Sequence, residues 1–183
     1  PVAVRLPAGR LTDRPFGAGG VEALLAQRGG GGGVLELPEA APVLASPELR
    51  RRLSDLGRLG VGVALDGFGG TATPPAALLR LPVDLVRLDR ELTDGLLESP
   101  ALRTVTGALL RLTGDLGVPT LADGIDHPDL AATLRALGCT HAQGPLFSEP
   151  LEPARLHRLL EGGRLPVPGA TGAPAAGPAA ELA

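Results

Sequence analysis

The sequence predicts an α/β fold built on a parallel sheet, either open or part of a barrel. Short, continuous apolar runs recur along the chain, as expected for strands that are covered on both faces. Segments with helical spacing lie between them, which gives about six βα units. Several runs end in an acidic or polar side chain followed by a turn. Parallel sheets assemble their functional sites from side chains at that carboxyl edge.

Six apolar runs are predicted to be strands. The third of them ends in a carboxylate and belongs to the stretch VGVALDGFGG. In chain order the predicted strands are Val2–Leu6, Val34–Leu37, Val61–Asp66, Leu85–Asp89, Val118–Ala122 and Thr140–Gln143. The carboxyl ends of parallel strands meet at one edge. We therefore expect a shared edge for the polar residues Glu36, Asp66, Arg87, Asp123 and Gln143.

Three helices are predicted between these strands. The first begins with a Ser46 cap and Pro47, and its apolar positions are Leu49, Leu53 and Leu56. The second has one apolar face, made of Leu102, Val105, Leu109, Leu112 and Leu116. The third has its apolar residues at Leu130, Leu134 and Leu137, and Gly138 ends it.

Length and composition limit the classes of protein. A chain of 183 residues can bury one sizeable core, so we expect a single domain over residues 1–162. Residues 163–183 are rich in Pro, Ala and Gly, which predicts a disordered tail. The net charge of −3 argues against binding to nucleic-acid polymers. No apolar run approaches the roughly 20 residues that span a bilayer. A single cysteine, Cys139, excludes an internal disulfide framework and a cysteine-based zinc site.

Five motifs, in order, resemble the EAL family of bacterial cyclic di-GMP phosphodiesterases. Early in the chain, LELPE resembles the family's E-x-T-E strand and ALDGFGG resembles its DDFGTG strand. Later, LPVDLVRLDRE resembles LP-x-D-x-x-K-I-D-R, and LADGID resembles AEG-V-E. LGCTHAQGPLFSEP resembles LGC-x-x-x-QGY-x-F-x-x-P. The resemblance implies an incomplete TIM-like (β/α) barrel of the EAL type that lacks the first two strands. It also implies a cytoplasmic protein.

The resemblance also assigns roles to individual residues. It implies metal ligands for Mg²⁺ or Mn²⁺ at Glu36, Asp66 and Asp123, because these cations prefer oxygen donors. It implies catalytic positions at Arg87, which stands for the family's Lys, and at Asp123 and Gln143. Substrate-binding positions fall on three residues that differ from the family's: Arg5 for Asn, Asp126 for Glu, and Pro145 for an aromatic residue.

Other interpretations of the same residues remain open. Asp66 and Asp123 each precede a glycine and also fit turn acceptors. Glu36 also fits a strand-end carboxylate near a helix N-terminus, and Arg5 also fits an ion pair with Glu36 or a phosphate. All 17 basic residues are Arg, so composition alone accounts for Arg87 as well as function does.

The departures from the family pattern favour a degenerate EAL domain. Gly67 stands where the family has its second Asp and offers no ligand, and Arg5 offers a cation instead of a carbonyl. We expect a non-catalytic sensory or protein-interaction module, with other signalling domains upstream in the same chain. Two modes of action stay open for it: binding of cyclic di-GMP, and contact with protein alone. A site with these departures is also compatible with binding no metal ion at all. The alternatives are an active cyclic di-GMP phosphodiesterase, when the upstream strands are present, and a relic without a ligand.

Overall fold

The computed structural model describes residues 3–7 and 33–161, and in them six strands form one sheet in the order β1 to β6. Every pair of neighbouring strands is parallel. The strands are β1 (Ala3–Arg5), β2 (Val34–Leu37), β3 (Gly62–Phe68), β4 (Leu85–Leu88), β5 (Thr120–Ala122) and β6 (His141–Ala142). With its covering helices the sheet forms a half-barrel, which confirms the predicted fold class. The predicted tail, residues 163–183, lies outside the described residues.

Five α-helices follow or connect the strands in this part of the chain. They are α1 (Ala41–Ala45), α2 (Pro47–Arg58), α3 (Pro100–Asp115), α4 (Pro128–Ala136) and α5 (Pro153–Glu161). Two 3₁₀ helices, Pro75–Leu79 and Arg90–Leu92, lie after β3 and β4. The Ser46 hydroxyl accepts a bond from the Leu49 amide at 3.2 Å, so the predicted cap of α2 is confirmed. None of these helices is long and apolar enough to cross a membrane.

The main core lies between the sheet and the helices. Successive side chains of a strand point to opposite faces, so alternate residues belong to different layers. Leu35 and Leu37 of β2 pack outward in the main core, with the apolar face of α2. A second, smaller cluster occupies the other face of the sheet and contains Val34, Ala64 and Leu85, with Leu121 packed against them. The residue two positions after each member of this cluster lies on the same face and is polar. These residues are, in the same order, Glu36, Asp66, Arg87 and Asp123.

Helix α3 turns inward only part of the face that its apolar spacing predicted: Leu102 and Leu109 pack against the main core. Val105, Leu112 and Leu116 are 51%, 38% and 46% exposed, whereas Thr106 and Thr113 are buried. Both buried hydroxyls donate to backbone carbonyls. Thr106 Oγ1 donates to the Leu92 carbonyl at 3.0 Å, and Thr113 Oγ1 donates to the Leu110 carbonyl at 2.9 Å. Because their polar atoms are paired, these threonines cost little to bury.

Candidate functional site

The carboxyl ends of the strands bring the predicted polar residues to one edge of the sheet. Strand pairing places Arg5 beside Glu36, and Arg87 beside Leu121, two residues before Asp123. A cleft of about 530 Å³ lies at this edge. Its lining includes five of the predicted site residues: Arg5, Glu36, Asp66, Arg87 and Asp123.

Arg87 is the centre of this group. Its Nε and Nη2 atoms each donate to one oxygen of Asp66, both at 2.8 Å, so the pair is bidentate. Its Nη2 also lies 2.6 Å from Glu36 Oε1. Its Nη1 donates to Asp123 Oδ2 at 3.2 Å. A single guanidinium therefore spans carboxylates from three different strand ends, and its side chain is only 12% exposed.

Arg5 supplies a second cation to the same carboxylates. Its Nε lies 3.4 Å from Glu36 Oε2, and its Nη2 is ion-paired with Asp66 Oδ2. Of the alternatives for Arg5, the structure thus shows the ion pair with Glu36. The charged cluster thus contains two guanidinium groups, of Arg5 and Arg87, and the three carboxylates of Glu36, Asp66 and Asp123. Its formal net charge is −1.

The aspartates are held by their own turns as well as by Arg87. Asp66 Oδ1 accepts a bond from the Gly67 amide at 2.8 Å, and Thr73 Oγ1 donates to the Asp66 carbonyl at 2.6 Å. Asp123 Oδ1 accepts from the Gly124 amide at 2.8 Å and from Gln143 Nε2 at 2.8 Å. Both aspartates are therefore turn acceptors and members of the charged cluster at once.

Asp126 and Pro145 lie apart from this cluster. Asp126 is exposed and lines a neighbouring cavity of about 310 Å³, which shares Asp123 and Arg90 with the main cleft. Pro145 is exposed in the turn that follows Gly144. The structure therefore does not bring these two predicted substrate-binding positions into the group around Arg87.

Two site residues, Asp89 and Arg90, were missed in the sequence. Both line the main cleft, and Arg90 also lines the neighbouring cavity. The Arg90 guanidinium lies against Gly124, with Nη2 2.8 Å from the point where a Cβ would stand. The signal that could have found them is the LDRE segment, because both residues directly follow β4 at the carboxyl edge.

The residues present do not fit a centre of two divalent cations. Within residues 3–7 and 33–161, no three or more His, Cys, Asp or Glu side chains are placed to hold a metal ion. The carboxylates that face one another are paired with Arg5 and Arg87. Gly67, with φ +65°, contributes no side chain, and its left-handed conformation would strain a restored Asp.

Comparison with known proteins places this geometry in one family. The chain matches the EAL domain over residues 1–150. It is 40% identical to the protein Rv1357c of Mycobacterium tuberculosis over 121 residues, which is 64% of this chain and 39% of that protein. It is 36% identical to the cyclic di-GMP phosphodiesterase PA2567 of Pseudomonas aeruginosa over 102 residues, which is 56% of this chain and 17% of that protein.

Solved structures show the same architecture. The EAL domain of Mycobacterium smegmatis DcpA has a TM-score of 0.79 and 30% identity, covering 90% of this chain and 74% of that one. Klebsiella pneumoniae BlrP1, solved as a manganese and cyclic di-GMP complex, has a TM-score of 0.71 and 26% identity, covering 81% of this chain and 38% of that one. The chain spans less than half the length of the curated relatives compared above. The match over residues 1–150 and these structures lead to one conclusion: the chain belongs to the EAL domain family.

Proposed function

We propose that this EAL domain is a non-catalytic sensory or protein-interaction module in cyclic di-GMP-type signalling. The observation that carries the proposal is the Arg87 guanidinium, which is bonded to Glu36, Asp66 and Asp123 together. Membership of the EAL family supplies the signalling context. We also propose a cytoplasmic location, with further signalling domains in the same protein.

The chemistry of phosphodiester hydrolysis explains why this site is unsuited to it. Two-metal hydrolysis needs two cations to generate the nucleophile and to stabilise the attacking and leaving oxygens. An arginine cannot replace them, because it stays protonated in proteins and has no atom that binds a metal or activates water. Arg5 adds a second positive charge that repels a cation, and Gly67 offers no oxygen ligand.

The cleft still suits a ligand. Its volume of about 530 Å³ falls within the range of about 300–1,000 Å³ that is usual for small-molecule sites. Its lining carries three guanidinium groups that can pair with a phosphate, those of Arg5, Arg87 and Arg90, together with the carboxylates of Glu36, Asp66, Asp89 and Asp123. BlrP1 was solved with cyclic di-GMP, so we propose cyclic di-GMP as the first ligand to test here.

The test is an assay of cyclic di-GMP hydrolysis with Mg²⁺ or Mn²⁺, with linear dinucleotide measured over time. We expect no product above a blank without protein, while PA2567 as positive control forms product. A parallel titration measures binding of cyclic di-GMP to the full chain. Turnover by the unmodified chain that Asp66→Ala abolishes would overturn the proposal in favour of an active phosphodiesterase.

A further inference from the structure

The three arginines that line the main cleft differ in what they are bonded to. Arg5 and Arg87 are ion-paired with the carboxylates of the charged cluster. Within residues 3–7 and 33–161, the guanidinium of Arg90 has no hydrogen-bond or ion-pair partner, and the residue is exposed. An arginine stays protonated in proteins. Arg90 therefore brings to the cleft a positive charge that no described carboxylate pairs with.

The Arg90 guanidinium lies against Gly124, at the junction of two cavities. Its Nη2 and Nε atoms are 2.8 and 3.8 Å from the point where a Cβ of Gly124 would stand. The φ of Gly124 is +73°, a left-handed conformation that glycine adopts without strain. Arg90 lines both the main cleft of about 530 Å³ and the neighbouring cavity of about 310 Å³. A ligand that lies across this junction must pass the guanidinium.

The acidic side chains around the two cavities restrict where an anion can bind. Asp94, Glu98 and Asp126 line the neighbouring cavity, and like charges repel an anion placed deeper inside it. In the main cleft, Asp89 caps the 3₁₀ helix after β4 by accepting a bond from the next-but-one amide at 3.0 Å, and it forms no ion pair with Arg90. The charged cluster has a net charge of −1. The junction at Arg90 is therefore the place where an anion finds a positive charge that is not already used.

We infer that Arg90 is the residue that binds the phosphate of the ligand, at the junction of the main cleft and the neighbouring cavity. The ligand class is a phosphate ester of a nucleotide, because the planar fork of a guanidinium can donate to two phosphate oxygens at once. Arg5 and Arg87 hold the charged cluster together instead. This inference rests on the proposed function, which supplies cyclic di-GMP as the probe.

The experiment is a calorimetric titration of the full chain with cyclic di-GMP in a buffer without divalent metal. Arg90→Gln should raise the Kd at least about tenfold, as expected when a hydrogen bond to a charged group is lost. Its Tm should stay that of the native chain, because Arg90 has no described partner to lose. Arg90→Lys keeps the charge without the fork and should raise the Kd less. The control is Arg80→Gln, at an exposed arginine that lines neither cavity, and it should leave the Kd unchanged.

Gly124→Ala tests the position of Arg90 without removing its charge. The added Cβ should displace the guanidinium and raise the Kd, and the left-handed backbone should also lower the Tm. Gly117→Ala is the matched control: its φ is +70°, and no atom lies within 4 Å of its virtual Cβ. It should lower the Tm by a similar amount and leave the Kd unchanged. Gly124→Ala combined with Arg90→Gln should bind no more weakly than Arg90→Gln alone, because both act through the same guanidinium.

Guanosine is the control ligand, since it has the base and sugar of the probe but no phosphate. It should bind no better to the native chain than to Arg90→Gln. The inference fails if Arg90→Gln binds cyclic di-GMP like the native chain, or if the native chain does not bind it at all. Either result leaves the non-catalytic module in place, acting through protein contact if nothing binds. Turnover of cyclic di-GMP by the native chain defeats the proposed function, whereas the Kd values of the Arg90 variants still decide this inference.

Discussion

Gly144 is the residue whose substitution should most directly disturb the edge of the sheet beside Gln143. Its φ is +146°, a conformation that side-chain-bearing residues rarely adopt. A Cβ at this position would overlap the backbone N and O of Ile125 and lie 2.9 Å from the Gly124 carbonyl carbon. Backbone atoms cannot rotate away as a flexible side chain can, so Gly144→Ala must move one loop away from the other.

The cost can be estimated from two contributions. A sparsely populated backbone conformation such as this one alone costs about 1–3 kcal/mol for an alanine. Displacing Ile125 also weakens two hydrogen bonds: Ile125 N donates to the Gln143 carbonyl at 3.0 Å, and Leu146 N donates to the Ile125 carbonyl at 3.0 Å. Each such bond contributes about 0.5–1.5 kcal/mol. We therefore expect Gly144→Ala to lower the free energy of unfolding by about 2–6 kcal/mol.

Urea unfolding provides the measurement, and Gly138→Ala is the matched control. Gly138 also has a positive φ, +102°, but no atom lies within 4 Å of its virtual Cβ. Gly138→Ala should therefore lose only the conformational contribution, about 1–3 kcal/mol. An equal loss in the two variants, with the same m-value, would refute the argument from the backbone overlap.

Three further predictions concern the buried Thr106 and the partly buried Cys139. Thr106→Val should lower the free energy of unfolding by about 1–3 kcal/mol, because it leaves the Leu92 carbonyl without its donor. The control is Thr104→Val, which removes an exposed hydroxyl of the same helix and should change the free energy of unfolding by less than about 0.5 kcal/mol. Burial raises the pKa of the Cys139 thiol, so iodoacetamide should label the native chain much more slowly than the urea-unfolded chain at mildly alkaline pH. Because that pKa is higher in the folded state, stability should also fall as pH rises from the ordinary thiol pKa through the raised one, and Cys139→Ala should remove this part of the pH dependence.

The strands were predictable because each is a continuous apolar run between turn residues. Their ends were less so, since side-chain contacts decide them. The run Thr140–Gln143 gives a β6 of only two residues, because Thr140 bonds to β5 through its side chain. The Thr140 hydroxyl accepts from the Thr120 amide at 2.7 Å and donates to the Thr120 carbonyl at 2.8 Å. The spacing of apolar residues cannot predict a side-chain hydroxyl that takes the place of a backbone group in strand pairing.

Helix α3 shows where the apolar pattern was misleading. Its regular leucine and valine spacing predicted a single apolar face, yet Val105, Leu112 and Leu116 are exposed. Thr106 is buried beside Leu110, and its hydroxyl donates to the Leu92 carbonyl of the neighbouring 3₁₀ helix. That acceptor is 14 residues away in sequence, so local spacing could not indicate it.

The sequence was enough to predict which residues meet at the candidate site, but not which hydrogen bonds and ion pairs they form there. Parallel strands must bring their carboxyl ends together, so the meeting of Glu36, Asp66 and Asp123 followed from topology alone. That Arg87 would contact all three depends on side-chain reach and on the register of β4, which the sequence does not specify. Asp126 was grouped with the site by its motif, but the chain turns it into the neighbouring cavity.

The sequential order of the sheet has a consequence for how the domain opens. Each described strand pairs with the strands next to it in the chain, so contacts are local and each βα unit can dock on the one before it. Units at the ends of such an array open at lower free energy than those in the middle. Among the strands that the structure describes, β6 pairs only with β5, has two residues and has few buried atoms, so it is the least costly strand to release. If β6 detached, Gln143 would move away from Asp123, whereas Arg87 would stay bonded to residues of the middle strands. Local opening of β6 would therefore change one wall of the cleft without global unfolding.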